Sequence, residues 1–208
     1  MVVDVPKLTA LALNDQAVAG KGNGKLGRSV GTFSMTPVEA CPGASEWCRS
    51  LCYAKDPHRR YAFTTARWDE NQAAARAGLM PEIPKSTKVF RIHVSGDFFS
   101  AAYTRRWITL VRQHPDVLFW AYTRSWRVKR IVPALEALRA EPNMQLFAST
   151  DMTIKETPPA GWRVANILGD ERTGPALTCP EQVGKKPNCE SCGYCFRGQR
   201  GNVAFKVH

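Results

Sequence analysis

Seven cysteines divide into two tight groups at opposite ends of the chain: Cys41, Cys48 and Cys52, then Cys179, Cys189, Cys192 and Cys195. None lies between the groups. Four thiolates can close a coordination shell, whereas three leave one position open for a ligand. The asymmetry points to two metal centres of different kinds. In a reducing compartment a run such as Cys189-x-x-Cys192-x-x-Cys195 marks metal ligation more often than disulfides, and an odd total argues against complete internal pairing.

The length, 208 residues, suits one ordinary domain with a small appendage, and 44% hydrophobic residues suffice for a core. A formal net charge of +11, from 29 Lys and Arg against 18 Asp and Glu, attracts polyanions and makes nucleic acid the natural partner class. The opening residues have no basic start, no long apolar run and no small-residue cleavage site, and nowhere do about 18 uninterrupted apolar residues occur. A soluble, cytoplasmic protein without a membrane partner is expected.

Residues 1–29 read as a lead-in. Within it, Gly20-Lys21-Gly22-Asn23-Gly24-Lys25 has the look of a phosphate loop, but Ala19 replaces its first glycine and Leu26 its Ser or Thr, so a turn is the better reading. Val30 to Met35 reads as a strand. Thr65 to Gly78 reads as a helix with Pro81 beyond, followed by a strand over 88–94, a helix over 101–113 and a strand over 117–122. A helix over 128–139 and strands over 144–148 and 162–168 complete the pattern. Apolar strands alternating with helices predict an α/β core over 30–172, a partial (β/α) barrel with mainly parallel strands. A small cysteine-rich lobe is expected at 173–208.

Each of the last four strands ends in a short polar group: Ser95-Gly96-Asp97, Thr123-Arg124-Ser125, Ser149-Thr150-Asp151 and Gly169-Asp170-Glu171. In parallel α/β sheets the carboxyl ends of strands form the rim where ligands bind, so these groups are expected to converge. Short loops with Ser or Asp helix caps share this appearance. Six and then three residues separate Cys41, Cys48 and Cys52. A helix from Trp47 would set Cys48 and Cys52 one turn apart on one face, with Cys41 reaching in from the preceding loop.

Strand, cysteine-rich loop, helix, and a second strand ending in Ser95-Gly96-Asp97 together resemble a radical S-adenosylmethionine enzyme. That resemblance implies a [4Fe-4S] cluster on Cys41, Cys48 and Cys52 whose open iron binds S-adenosylmethionine, with Ser95, Gly96, Asp97 and Ser149 as cofactor-binding residues. It further implies a reductant protein as partner and a radical that abstracts hydrogen from substrate, with Asp97, Arg124 and Asp151 as catalytic or substrate-facing residues at the rim. The Cys52-Tyr53-Ala54 motif and the Ser95-Gly96-Asp97-Phe98 segment also resemble the phage gene product 88 family, which implies a viral setting and the host cytoplasm. Two departures stand against the radical-enzyme pattern: the cysteine loop is longer, and its acid is Asp rather than Glu.

The C-terminal cysteines can hold tetrahedral zinc or a closed iron–sulfur cluster. They resemble the auxiliary-cluster tails of radical enzymes, and equally a staple for a small lobe. Basic and aromatic residues interleave at His58-Arg59-Arg60-Tyr61 and from Tyr122 to Arg130, as in single-stranded nucleic-acid binders, with Lys185, Lys186, Arg197 and Arg200 in the tail. Such runs are also ordinary solvated faces, and Trp126 can belong to the core. His93, alone in an apolar strand, fits a core residue better than a ligand. Two other functions remain open: a nucleobase-exchanging enzyme like the queuine transglycosylases, with Asp97 and Asp151 as nucleophile and base and zinc on the cysteines, or a non-catalytic nucleic-acid binder stapled by zinc.

Overall fold

The computed structural model describes residues 17–198 and 201–207. Its frame is one eight-stranded sheet in the order β1-β2-β3-β4-β5-β6-β8-β7. The strands are β1 (Gly20–Lys21), β2 (Gly31–Phe33), β3 (Val89–Ile92), β4 (Leu118–Thr123), β5 (Met144–Ser149), β6 (Arg163–Ile167), β7 (Ala176–Thr178) and β8 (Asn202–Phe205). Only β1 pairs antiparallel; every other neighbouring pair is parallel. From β1 to β6 chain order equals spatial order, so that part of the sheet is wound in one direction; β8 then lies between β6 and β7 and reverses the order at the last pair. It ends at β1 and β7 and is not closed.

Period-two alternation assigns the two faces. Phe33, Phe90, Ile92, Phe119, Ala121, Leu146 and Ala148 point to one side and pack with Trp107, Val111, Ile131, Leu135 and Leu138. These last come from helix α4 (Ala101–Gln113), helix α5 (Val132–Arg139) and the turn before α5. Trp120 points to the other side against Leu26, Val30 and Phe196, and Phe147 against Ala165, Cys179 and Val203. Burial on both faces explains why these strands read as near-continuous apolar runs.

Two shorter helices, α1 (Glu46–Ser50) and α2 (Lys55–Arg60), precede α3 (Ala62–Ala77). The last is stopped by Gly78 at φ 100°, a left-handed cap. No helix joins β5 to β6. The helix read over 128–139 begins only at Val132, because Ser125–Arg127 form a separate short turn.

The C-terminal cysteine-rich segment is joined to the core sheet. Residues 173–207 contribute β7 and β8 to the shared sheet, with β8 seated beside β6. Helix α6 (Cys189–Cys192) joins the same structure through backbone hydrogen bonds from Cys189 to the Lys25 carbonyl, 2.9 Å, and from Glu190 to the Leu26 carbonyl, 3.0 Å. The lead-in is thus a docking partner, with β1 as an edge strand; its first sixteen residues lie outside the described part. No helix among the described residues is long and apolar enough to cross a membrane.

Candidate metal and ligand site

The chain leaving β2 is fastened to the end of β3: the Met35 amide donates to the Ser95 carbonyl, 3.0 Å, and the Ser95 hydroxyl to the Met35 carbonyl, 2.8 Å. It then turns through Val38 at φ 69° into the cysteine loop. Gly43 lies so close to the Arg124 carbonyl and the Ser125 nitrogen that any Cβ would overlap them. Glycine is required for that backbone approach. Ser45 caps α1 by accepting from the Cys48 amide, 3.0 Å, and Arg49 reaches back to the Cys41 carbonyl, 3.1 Å. Cys48 therefore lies within α1 and Cys52 just past its last turn.

All three thiols line one cavity of about 730 Å³, within the range of ligand pockets. It covers the carboxyl ends of the parallel strands and the sheet face that carries Trp120, the inner face, with Arg91, Tyr122, Gly96, Asp97, Arg124 and Ser149 also in its wall. Burial pushes the Cys41 thiol well above its usual range, with the Asp97 carboxylate and the other two thiols adding to the rise. Burial also raises Cys48, opposed by the Arg124 guanidinium. Cys41 and Cys48 are thus partly desolvated thiols that would have to give up their protons to hold a cation.

Three of the four polar strand ends meet at this cavity. Asp97 is buried and accepts from the Phe98 amide, 2.7 Å, the Thr123 hydroxyl, 2.6 Å, and the Arg124 amide, 2.8 Å. Burial nevertheless holds its carboxyl above the ordinary value. Arg124 links the next end, its backbone on Asp97 and its guanidinium on Asp151 at 2.5 Å. Asp151 has no exposed surface and also accepts from Ser45, 2.6 Å, and from the Thr153 amide and hydroxyl, 3.0 and 2.6 Å. Burial alone would raise its carboxyl, but Ser45, Thr153 and Arg124 together bring it below the usual value. Both Asp151 oxygens are fully engaged, so this group orients Arg124 and α1. The fourth end turns elsewhere: Asp170 pairs with Arg172 at 2.7 Å, and Arg172 donates to the Asp151 carbonyl, 2.9 Å.

Two of the four C-terminal cysteines reach the same cavity. Cys179, just after β7, and Cys189, opening α6, both line it. Cys195 packs near Tyr122, and Cys192 closes α6 before Gly193 at φ 71°. Burial pushes Cys189 up to about 11 and Cys195 up to about 12, with Cys179 raising both further. Among the described residues no group of three or more His, Cys, Asp and Glu is packed closely enough to hold a single metal ion.

The two basic-aromatic runs fare differently. His58 pairs with Asp69 at 2.9 Å and stacks on Trp68, and Arg59 pairs with Asp56, while Tyr61 stays exposed at the cavity mouth. In the second run Trp126 is buried, its Nε1 donating to the Ser149 carbonyl, 3.0 Å, and Arg127 is spent on Glu156, 2.8 Å, and the Gly43 carbonyl, 3.1 Å. Trp126 and Arg127 thus hold the fold together, Tyr122 and Arg124 line the cavity, and Lys129 and Arg130 are exposed. Of the tail cations, Arg200 lies outside the described residues. The His93 ring is buried, with Nε2 on the Tyr103 hydroxyl at 2.9 Å; burial, aided by Arg91, lowers it to about 3 and keeps it neutral. Ser45 and Arg91 escaped the sequence reading, Ser45 as one serine among many and Arg91 as a charge inside an apolar run.

An open, mainly parallel α/β sheet with a cysteine-lined cavity across its strand ends defines the class. The chain belongs to the family described as Gene product 88, whose model matches residues 8–198. It is 30% identical over 201 residues to the Gene 88 protein of Mycobacterium phage L5, covering 81% of this chain and 82% of that one. The Gene 88 protein of Mycobacterium phage D29 is 28% identical over 202 residues, with the same coverage. No solved structure matches.

Proposed function

We propose that this phage-family protein is an iron–sulfur enzyme of the radical S-adenosylmethionine type, working in the host cytoplasm on nucleic acid or a nucleotide-derived substrate. The observation that carries it is that Cys41, Cys48 and Cys52 share one ligand-sized cavity at the carboxyl ends of parallel strands, beside Gly96 and Asp97. Sequential winding of the parallel strands supports reading the open sheet as a partial (β/α) barrel. Cys41, Cys48 and Cys52 would hold a [4Fe-4S] cluster and leave one corner open. When bound and reduced by a partner protein, such a cluster supplies the electron for cleaving S-adenosylmethionine.

The chain's own residues do the rest. Ser95, Gly96 and Asp97 form the wall against which the amino acid end of S-adenosylmethionine would lie, with Ser149 across from them. Arg124, held by Asp151, faces Cys48 and the substrate space. Exposed Tyr61 and Phe63, with Arg67 over the Phe63 ring, offer a mouth suited to a base and its phosphate. Cys179, Cys189, Cys192 and Cys195 would hold a second cluster, or zinc once their thiols draw closer together than they stand here.

Protein prepared without oxygen should contain about four irons or more per chain with matching sulfide. With dithionite it should release 5′-deoxyadenosine from S-adenosylmethionine, and Cys48→Ala should abolish that release. Two zincs, no sulfide and no cleavage would overturn the reading. Asp97→Asn protein that keeps metal but loses base exchange would then mark a transglycosylase, and absence of any exchange a zinc-stapled nucleic-acid binder.

A further inference from the structure

Arg91 is a cation in the wrong company for a structural role. It projects from the middle of β3 onto the inner face of the sheet, in register with Trp120 of β4, and lines the cavity. Its guanidinium lies over the Tyr122 ring at 5.3 Å. The groups that act on it most strongly are Tyr53, Tyr122, Cys189 and Cys195, with no carboxylate among them. Its Nε is buried without a hydrogen-bond partner. Among the described residues Arg91 enters no ion pair, whereas Arg124, Arg127, Arg172 and Arg112 each hold an acid. The side chain is half-buried and shares a hydrogen bond with Tyr53, but a largely desolvated guanidinium without an anion is unfavourable, and an aromatic face and one phenol offset only part of that.

The geometry points to Arg91 as the anchor of an anion-binding subsite, which takes the phosphate or carboxylate of a small ligand lying between the two cysteine groups. The guanidinium fork suits a two-oxygen anion, and Tyr122 beneath it fixes its plane. Cys52 and Cys189 line the same cavity, so a ligand seated on Arg91 would share it with a cysteine of each group. The cavity is too large for inorganic phosphate alone and accommodates a mononucleotide, with Trp47, Trp68 and Trp120 in its walls. The inference stands whichever metal the cysteines hold.

Those three tryptophans supply the readout. Purified full-length protein, with its iron and zinc content measured in each sample, is titrated with adenosine 5′-monophosphate, inorganic phosphate, acetate and uncharged adenosine while tryptophan emission is followed. Saturable binding of adenosine monophosphate, stronger than that of adenosine, is expected. The order of inorganic phosphate and acetate tells which oxyanion is preferred. Arg91→Gln should weaken the anionic probes about ten- to a hundredfold and leave adenosine unchanged. Arg91→Lys, which keeps the charge and loses the fork, should fall between and carries the test if the glutamine variant fails to fold. Equal binding of anionic and neutral probes, no saturation by any anion at millimolar levels, or unaltered binding in both variants overturns the inference. So does metal loss in the variants with anion binding intact, which would assign Arg91 to the thiolates.

Discussion

Both cysteine groups reach one cavity, the second through Cys179 and Cys189, but they are held there by different forces. The N-terminal trio depends on polar chemistry reaching across the sheet: Ser45 on Asp151, Arg127 on the Gly43 carbonyl, and Gly43 pressed against the backbone of Arg124. The C-terminal quartet depends on a continued sheet and apolar packing, with β8 laddered to β6 and Cys179 and Cys195 set among Phe147, Val203 and Tyr122. A buried polar network fails when one member leaves, because the others are stranded without partners. A backbone ladder spreads its stabilisation over many bonds. The trio should therefore be sensitive to single substitutions that touch no cysteine, and the quartet should not.

Asp151→Ala tests this most severely. It strands the Arg124 guanidinium, 11% exposed, together with the Ser45 and Thr153 hydroxyls. Breaking such a pair destabilises by about 3–5 kcal/mol, read as a fall in the urea midpoint. Metal bound by the trio should be lost first. The pH dependence carries the same signature. The Asp151 carboxyl is depressed in the folded state, so its contribution is complete above the ordinary carboxylate value of about 3.9 and is lost as pH falls through the depressed one. Asp97 is raised, so its contribution is complete below that value and lost as pH rises through the raised one. Asp151→Ala should flatten the acid limb of stability against pH, and Asp97→Asn should leave that limb in place.

Gly43→Ala comes next. A new Cβ would meet backbone, which no rotamer change relieves, so the loop must lift from β4 at about 1–3 kcal/mol. Thermal unfolding measures the loss, and the thiol reactivity of Cys41, Cys48 and Cys52 should rise while that of Cys179 stays low. Uniform exposure of all seven cysteines would mean that the groups are not independently held.

This sensitivity follows from contacts that sequence patterns do not carry. Strands β3 to β6 and helix α4 were legible because burial on both faces writes an apolar run and a 3.6-residue stripe is its helical counterpart. The convergence of Asp97 and Arg124 was legible because parallel strands deliver their ends to one rim. Ser45 meets Asp151 across 106 positions, and nothing local to either residue records that. Strands β7 and β8 were hidden for a related reason: Ala-Leu-Thr and Asn-Val-Ala-Phe are too short to show a period, and only their neighbours make them strands. Within the Tyr122–Arg130 run, composition could not separate Arg124, which lines the cavity, from Arg127, which already holds Glu156.

Ser45→Ala removes both the cap on the Cys48 amide and the donor to Asp151, which should lower stability by about 1–2 kcal/mol, again by urea midpoint. Asn188→Ala is the matching change in the quartet, since Asn188 caps α6 by accepting from Ser191, 2.8 Å. It should have the smallest effect, about 0.5–1 kcal/mol. Helix α6 is already pinned by main-chain bonds from Cys189 and Glu190 to Lys25 and Leu26, which no side-chain substitution at 188 removes. Equal losses from the two cap deletions would sink the contrast between the groups. A larger loss at Ser45, accompanied by release of metal from the trio alone, would locate the difference in the hydroxyl that Ser45 lends to Asp151.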